Sequence, residues 1–169
     1  AGFTAPRLAP AAPSRPGPNP EGQLVGFAFG QMTAETLAAL AELGPLRVTP
    51  WRMLLIEGAN LATDLPDLIT HPDDPMLRVL ACTGAPGCLQ AHAATRDLAR
   101  ALAPHLTQTL HVSGCAKGCA HPGAAPLTLT ATPAGFNLIR DGSASGAPAR
   151  EGVSAKALIQ SPALLTEFP

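Results

Sequence analysis

The segment SGCAKGCAHP, residues 113–122, is the most informative part of this chain, because it holds two of only four cysteines. Its glycines and its proline disfavour both helix and strand, so the sequence predicts a loop. The run TLHVSG predicts a strand that leads into Cys115. The other two cysteines lie in another loop of small residues, CTGAPGC, which follows the apolar run MLRVLA at residues 76–81. The sequence therefore predicts two strands that each end in a cysteine-bearing loop.

Composition and charge narrow the class of protein. The chain has 169 residues, of which 46% are hydrophobic and only 4% aromatic, so we expect a core of aliphatic side chains. The net charge of −1 argues against a nucleic-acid partner. No apolar run has membrane-spanning length and no secretory signal is visible, so we expect no membrane partner and a cytoplasmic location. In that reducing compartment, clustered cysteines are more often metal ligands or catalysts than disulfides.

The first part of the chain changes character after a proline-rich start. Residues 1–22 contain six prolines and predict a disordered linker or tail. The pattern beyond it predicts a strand, a helix, a strand interrupted by a proline, and a second helix, over 23–30, 33–44, 46–58 and 63–70. Thr33 is the expected N-cap of the first helix. Leucines at helical spacing predict its buried stripe: Leu37, Leu40 and Leu43.

A second unit is predicted to begin near His71. Its apolar pattern predicts a strand, a long helix, a strand entering Cys115, two hairpin partners and a closing helix, over 76–81, 89–106, 109–114, 127–132, 136–140 and 161–168. We therefore expect a mixed α/β (α+β) fold with a tail over 1–22 and domains over 23–70 and 71–169. Ser161 and Pro162 are the expected N-cap and first residue of the closing helix.

The spacing of the cysteines, C-x5-C followed by C-x3-C, suits a metal centre. A cubane iron–sulfur cluster needs four converging thiolates, and two loops from neighbouring strands can supply them. Small residues let backbone N–H groups approach the sulfurs, and a helix starting after Cys88 would point its positive end at the anionic cluster. A structural zinc site, disulfides and four unrelated core cysteines are the alternatives. Spacing alone does not choose the chemistry.

The text TLHVSGCAKGCAHP, together with that spacing, resembles the siroheme-dependent nitrite and sulfite reductase superfamily. Within it, the chain is most similar to the precorrin-3B synthase family of aerobic cobalamin biosynthesis. The reductases usually carry a proline–asparagine type of sequence where this chain has Ala116 and Lys117. The segment LRVTPWRMLLIEG, residues 46–58, resembles the arginine-rich strand of the superfamily's ferredoxin-like module. The resemblance covers about residues 23–142.

The resemblance implies a particular architecture. Members of the superfamily have two related halves, each with a ferredoxin-like unit and a larger α/β unit, and a tetrapyrrole lies between the halves. This chain resembles only the C-terminal half, with a ferredoxin-like half unit over 23–70 and a 4Fe-4S cluster domain over 71–169. Its first residue, Ala1, and its proline-rich start agree with a fragment, so the missing N-terminal half is an expected partner.

Site residues follow from the same resemblance. The four cysteines match the ligands of a 4Fe-4S cluster: Cys82, Cys88, Cys115 and Cys119. In the siroheme reductases the position of Cys119 also bridges to the haem iron. Precorrin-3B synthase instead takes precorrin-3A as a substrate, which it hydroxylates and closes to a lactone. It uses dioxygen, an electron donor and a possible mononuclear non-haem iron.

Several residues outside the cysteines have two interpretations each. Substrate carboxylates would pair with cations, for which the candidates are Arg47, Arg52 and Lys117; the alternative is that they are solvated surface residues. His121 is a candidate iron ligand, or else a loop residue that bonds a backbone carbonyl. Trp51 either stacks on a ring or packs in the core. The competing functions are a sulfite or nitrite reductase half that binds siroheme, and a non-catalytic metal-binding module.

Overall fold

The computed structural model describes residues 14–60, 65 and 67–166. The chain divides into two compact units between Pro72 and Asp73. One contains an antiparallel sheet and the other a mixed sheet, so the fold is α+β. Among the described residues, no helix combines the length and apolarity needed to cross a membrane.

Five short strands form the sheet of the first unit: β1 (Gly17–Asn19), β2 (Gly22–Phe27), β3 (Leu46–Val48), β4 (Met53–Glu57) and β5 (Leu68–Ile69). The spatial order is β1-β2-β4-β3, and β5 pairs with the last two residues of β2. All these pairings are antiparallel. Strand β2 is central and almost wholly buried.

One α-helix lies in the part of this unit that the structure describes, α1 (Ala34–Ala41), and its predicted cap is confirmed. The hydroxyl oxygen of Thr33 accepts a hydrogen bond from the Thr36 backbone N–H at 3.1 Å. Leu40 is fully buried in the core, which also contains Val25, Phe27, Leu54 and Ile56. The rest of the predicted stripe is wrong, because Leu37 and Leu43 are 43% and 44% exposed. The helix has eight residues, and two of them are buried, Thr36 and Leu40. They lie on the same face of the helix because they are four residues apart.

The proline-rich start differs from prediction where the structure describes it. Gly17–Asn19 form strand β1 rather than a disordered tail, because they pair with β2 at its edge. An edge strand tolerates Pro18, since the missing N–H faces away from the ladder. Residues 1–13 lie outside the described residues.

The predicted long strand over 46–58 is instead a hairpin of β3 and β4. Thr49 closes its turn, because both its backbone N–H and its hydroxyl donate to the Met53 carbonyl, at 3.1 and 2.9 Å. The second predicted helix, over 63–70, is wrong for Leu68–Ile69. These residues form β5, because pairing with Gly26 and Phe27 buries Ile69. Residues 63, 64 and 66 lie outside the described residues.

The second unit contains a five-stranded mixed sheet and two α-helices. In chain order these are β6 (Val79–Ala81), α2 (Arg96–Leu102), β7 (Leu110–Ser113), β8 (Ala125–Thr132), β9 (Gly135–Gly142), β10 (Arg150–Val153) and α3 (Ala155–Gln160). The spatial order is β10-β9-β8-β7-β6. Strands β6, β7 and β8 run parallel, while β9 and β10 are antiparallel to their neighbours. The predicted hairpin is confirmed as β8 and β9, whose pairing reaches Thr132 opposite Gly135.

Two predicted helices of this unit are shorter than expected. The helix over 89–106 reduces to α2, followed by one 3-10 turn, Ala103–His105. The closing helix reduces to the 3-10 turn Pro162–Leu165, and the Ser161 side chain makes no capping bond there. Residues 167–169 lie outside the described residues. Strand β10 and helix α3 have no counterpart among the elements that the sequence predicts.

Candidate metal centre

Both cysteine loops begin at the same edge of the mixed sheet. Strands β6 and β7 are parallel neighbours with Ala81 opposite Val112. Parallel strands in register end together, so the loops that follow them start side by side. Cys82 directly follows β6 and begins the first loop, which ends at Cys88. Cys115 lies two residues beyond the end of β7, in the second loop, which also carries Cys119. The fold therefore brings together the starts of the two cysteine loops, which the sequence predicted only as separate features.

All four cysteines are free thiols, and none forms a disulfide. Cys82, Cys88 and Cys115 are half-buried, whereas Cys119 is exposed. The loop after β6 therefore carries two half-buried cysteines, and the loop after β7 carries one half-buried and one exposed cysteine.

A backbone hydrogen bond links the two loops at the first cysteine. The N–H of Gly114 donates to Cys82 Sγ at 3.1 Å. The N–H of Cys82 in turn donates to the carbonyl oxygen of Val112 at 3.3 Å. N–H···S bonds favour the thiolate form and tune the potential of iron–sulfur clusters. The small residues of the cysteine loops predict such an approach of a backbone N–H to a sulfur, and the bond from Gly114 to Cys82 is an example.

Two glycines let the loops pack closely. A Cβ on Gly114 would lie 2.7 Å from Ala91 Cβ, which is too close for real side chains. Gly84 has φ +67°, and a Cβ there would lie 2.6 Å from Thr95 Oγ1. Thr95 is almost fully buried and its hydroxyl donates to the Cys82 carbonyl at 2.6 Å. The sequence does not point to Thr95, because the predicted helix over 89–106 places it in the interior of a helix, whereas the structure starts α2 only at Arg96.

The segment after Cys88 forms turns instead of the predicted helix. Its backbone bonds to the loops: Ala91 N–H donates to the Cys88 carbonyl at 3.1 Å, and His92 N–H donates to the Gly114 carbonyl at 2.8 Å. These bonds replace the helical ladder, and α2 begins only at Arg96. The expectation that a helix starting at Cys88 points its positive end at the metal centre was therefore wrong.

The donor set fits a four-iron cluster. In such a cluster each thiolate binds a different iron, so the sulfurs need not converge on one point. A zinc ion instead requires all its thiolates about 2.3 Å from a single centre. In the described parts of the chain, no three His, Cys, Asp or Glu side chains lie close enough to one another to hold a single metal ion. Four cysteine thiols, two on each loop, are the donor type that a cubane cluster takes. A backbone N–H already donates to one of these sulfurs.

Hydrogen bonds from Ser113 and His121 stabilise the second loop. The Ser113 hydroxyl donates to the Cys115 carbonyl at 2.7 Å. The His121 N–H donates to the Gly118 carbonyl at 3.0 Å, and His121 Nε2 lies 3.1 Å from the Ala124 carbonyl oxygen. The His121 ring thus contacts a backbone carbonyl, as in the second of its two predicted interpretations. Lys117 is exposed at the tip of the loop.

His111 is a buried residue beneath the second loop. It lies on β7, is 0% exposed, and has no hydrogen-bond partner for either ring nitrogen. Its ring makes an edge-on contact with that of His121, with centroids 5.8 Å apart. Burial, and then the charge of His121, lowers the pKa of His111 from 6.5 to about 4. The imidazole is therefore neutral at neutral pH.

The candidate cations of the first unit differ in their surroundings. Arg47 is paired with Glu21 at 2.6 Å and with Glu57, and these carboxylates, Glu57 first, raise the pKa of Arg47. Arg52 occupies the β3–β4 turn with φ +57° and is exposed. Trp51 beside it is 44% exposed, so the interpretation of this tryptophan as a core residue was wrong. Trp51 and Arg52 are therefore consecutive exposed residues of one turn.

The chain is similar to known proteins both in sequence and in structure. No protein-family model matches the chain. A precorrin-3B synthase from Sinorhizobium sp is 34% identical over 146 residues, which cover 73% of this chain and 31% of that protein. The structure of the NirA protein from Mycobacterium tuberculosis superposes with a TM-score of 0.54. That superposition covers 82% of this chain and 33% of NirA, at 21% identity.

The chain has a NirA-like fold. This confirms the predicted mixed α+β fold class, with one antiparallel and one mixed sheet. The chain spans about a third of the length of both the precorrin-3B synthase and NirA. Its similarity to the synthase extends over most of its own residues.

We predict that Gly114→Ala disturbs the contact between the loops. The added Cβ meets a short side chain, Ala91, so the backbone must move and the bond to Cys82 Sγ is strained. Overpacking of this kind costs about 1–3 kcal/mol. Gly123→Ala is the matched control, since its Cβ would make only ordinary contacts, at 3.5 Å from His121 Nε2. Urea unfolding followed by circular dichroism measures the difference, and equal stability of the two variants would refute the steric argument.

We also predict an acid-dependent loss of stability that depends on His111. Below pH 6.5 the unfolded chain binds a proton on this residue, whereas the folded chain does so only near pH 4. The folded state therefore loses stability as the pH falls through that window. Between about pH 7 and about pH 5 the loss amounts to roughly 1–2 kcal/mol.

The measurement compares the cluster-free wild type with His111→Leu at several pH values. Other groups titrate in both proteins, so the relevant quantity is the difference in the free energy of unfolding. This difference should change in favour of the variant as the pH falls. A constant difference across the window would mean that His111 titrates normally.

Proposed function

We propose that this chain is the C-terminal, cluster-binding half of a precorrin-3B synthase in the nitrite and sulfite reductase superfamily. The observation that carries the proposal is the pair of adjoining cysteine loops, joined by the hydrogen bond from Gly114 N–H to Cys82 Sγ. The 34% identity to a precorrin-3B synthase supports the choice of branch. The first unit would be the ferredoxin-like half domain and the second the 4Fe-4S domain.

The proposed reaction is the dioxygen-dependent hydroxylation of precorrin-3A, with closure of a lactone. When bound, the 4Fe-4S cluster supplies electrons that it receives from an external donor. The chain's own residues hold and shield the thiolates: Gly114 donates to Cys82 Sγ, Thr95 fixes the Cys82 carbonyl, and Ser113 fixes that of Cys115. A reducing cytoplasm would keep all four thiols available.

The described residues do not by themselves form a site for a mononuclear iron. No three potential ligands gather in the described parts of the chain, and His121 Nε2 already contacts the Ala124 carbonyl oxygen. The ligands of such an iron, and one wall of the tetrapyrrole site, would come from the N-terminal half that we propose as the partner of this chain.

Substrate carboxylates would be bound by exposed cations. Arg52 is the strongest candidate, because it is exposed on a turn beside a half-exposed indole ring. A guanidinium pairs with a carboxylate in a bidentate manner, and an indole face can stack on a tetrapyrrole ring. Arg47 is a weaker candidate, since Glu21 and Glu57 already neutralise it. Lys117 is exposed between two cluster cysteines and could meet a carboxylate there.

An alternative function is a siroheme reductase half. Cys119 is the exposed member of the four cysteines, so its sulfur is open to a second group such as a haem iron. The two functions differ in whether the tetrapyrrole is a resident cofactor or a substrate. They therefore differ in what the protein retains during purification.

We expect the anaerobically purified chain to show the broad absorption and the EPR signal of a reducible iron–sulfur cluster, without a haem band. Cys82→Ser should abolish the cluster signal, because it removes the thiolate that joins the two loops. Leu89→Ser is the matched control, since Leu89 is fully exposed next to Cys88 and its loss should leave the spectrum unchanged. A haem band coupled to the cluster would establish the siroheme alternative, and zinc without sulfide would indicate the non-catalytic module.

We further expect Trp51 to report tetrapyrrole binding. It is the chain's sole tryptophan and there is no tyrosine, so the intrinsic fluorescence comes from this turn alone. Uroporphyrin, a stable polycarboxylate tetrapyrrole, should quench it saturably after correction for porphyrin absorption. Arg52→Gln should weaken binding about tenfold, as expected for the loss of one charge-assisted hydrogen bond.

Arg47→Gln is the comparison for that experiment. Its guanidinium is already paired, so its replacement should weaken porphyrin binding less than Arg52→Gln does. Equal effects of the two substitutions would mean that general positive charge, rather than the turn, attracts the porphyrin. Unsaturable quenching would contradict a tetrapyrrole site at Trp51 and Arg52.

A further inference from the structure

Helix α1 presents apolar residues to the solvent as well as to the core. Five of its eight residues are exposed, and only one of these five, Glu35, is charged. The other four share one flank of the helix, because they lie at positions i, i+3, i+4 and i+7. This Leu37 flank consists of Ala34, Leu37, Ala38 and Ala41. A surface helix normally carries polar side chains on its uncovered face, so the flank has the composition of a covered surface.

Large exposed apolar side chains are concentrated on this helix and at its two ends. Leu37 is 43% exposed, and Met32 and Leu43, just before and just after the helix, are 38% and 44% exposed. Leu40, in contrast, is fully buried in the core of the unit. Exposed apolar side chains that are concentrated on one element indicate a surface that another polypeptide covers.

The shape of the Leu37 flank suits a second helix. Three of its four positions are alanines, which let the backbone of another helix approach closely. Leu37 supplies one large side chain among them, and such a side chain fits into a groove between the side-chain rows of a neighbouring helix. A helix can therefore pack along this flank without displacing any residue of α1.

The charges beside the flank indicate which helix it accepts. The charged residues of α1 and of its C-cap are two exposed glutamates, Glu35 and Glu42. They lie three residues before and four residues after Ala38, so they follow the same border of the flank. If two copies of α1 packed antiparallel about a two-fold axis, these borders would face each other, with Glu35 of one copy beside Glu42 of the other. Such like-charge pairs disfavour a second copy, whereas a helix with lysine or arginine along its border would be attracted.

We propose that the Leu37 flank is the docking surface for a helix of the N-terminal half, and that this helix presents apolar residues bordered by lysine or arginine. The inference rests on the proposed function in that it requires this half. The relatives are long enough to supply such a helix, because the chain spans only 31% of the precorrin-3B synthase and 33% of NirA. The flank would then join the two halves through the first unit of this chain.

The first test identifies what lies against the flank. This chain is produced in the same cells as the N-terminal half, which carries an affinity tag, and the complex is purified. Leu37 is replaced by the photo-cross-linking residue p-benzoylphenylalanine, and the cross-linked peptides are identified by mass spectrometry. The same replacement of Leu77 is the matched control, because Leu77 is 41% exposed and lies in a 3-10 turn of the other unit. We expect position 37, and not position 77, to cross-link to a helix of the N-terminal half that carries lysine or arginine.

The second test measures how strongly the two halves bind. The fraction of this chain that stays with the tagged half over a dilution series gives the dissociation constant of the complex. Leu37→Glu should weaken binding about tenfold or more, because it places a charge in an apolar contact. Leu77→Glu makes the same change at a similar exposure and should leave the dissociation constant unchanged. Circular dichroism checks that both variants keep the fold of the unsubstituted chain.

A charge reversal tests the chemistry of the docking helix without weakening α1. Glu42 is the C-cap of α1, and a lysine at the C-terminal end of a helix interacts favourably with the helix dipole. Glu42→Lys should nevertheless weaken binding about twofold to fivefold, because it faces the proposed lysine or arginine border. Unchanged or tighter binding by Glu42→Lys would contradict the basic border.

The outcomes separate this proposal from the function on which it rests. The inference is wrong if position 37 cross-links to a second copy, to another part of this chain or to a segment that is not helical. It is also wrong if Leu37→Glu and Leu77→Glu bind equally well, or if the unsubstituted chain does not bind the N-terminal half. The content of iron and sulfide decides the proposed function separately. A chain that takes up both but binds through another surface keeps its proposed function, whereas a chain that takes up neither loses it.

Discussion

The parallel pairing of β6 with β7 is the constraint on which the candidate site depends. With Ala81 opposite Val112, both strands end at one sheet edge, and the cysteine loops start side by side. The register also decides which face each side chain takes, because a slip of one residue exchanges the two faces. In the observed register Leu110 and Val112 share one face, and His111 and Ser113 lie on the other, under the second loop. The pairing of β6 with β7 therefore decides where the two cysteine loops start. It also decides which side chains of β7 lie beneath the loop that carries Cys115.

Backbone groups shape this site more than side chains do. The loops are joined by Gly114, whose N–H reaches Cys82 Sγ and whose carbonyl accepts from His92. Thr95 contributes one hydroxyl to the Cys82 carbonyl, next to the glycine that makes room for it. Such a site can hold an anionic group with few charged residues nearby, because oriented N–H groups supply partial positive charge. Lys117 lies in the second loop but is exposed, and the hydrogen bonds that join the two loops come from the backbone.

Sequence reasoning was reliable where local signals agree with packing. Thr33 caps α1 as predicted, and the hairpin of β8 and β9 follows its alternating pattern. It failed where a distant contact decides the conformation. Leu68 and Ile69 lie in a segment whose sequence predicts a helix, but they pair with β2. The segment after Cys88 likewise bonds to Gly114 instead of forming a helix. The cysteines and glycines of the site were recognisable, whereas Thr95 and the unpartnered His111 depend on burial that no local pattern encodes.

The central claim is that loops from two parallel strands together hold one four-iron cluster. Mössbauer spectroscopy of the chain reconstituted anaerobically with iron-57 and sulfide tests it most directly. The account predicts that nearly all the iron is in tetrahedral sulfur coordination with the delocalised valence of a 4Fe-4S cluster, and that Cys115→Ser loses this signal. Iron found only in mononuclear or two-iron form, or a four-iron signal that survives Cys115→Ser, would contradict it.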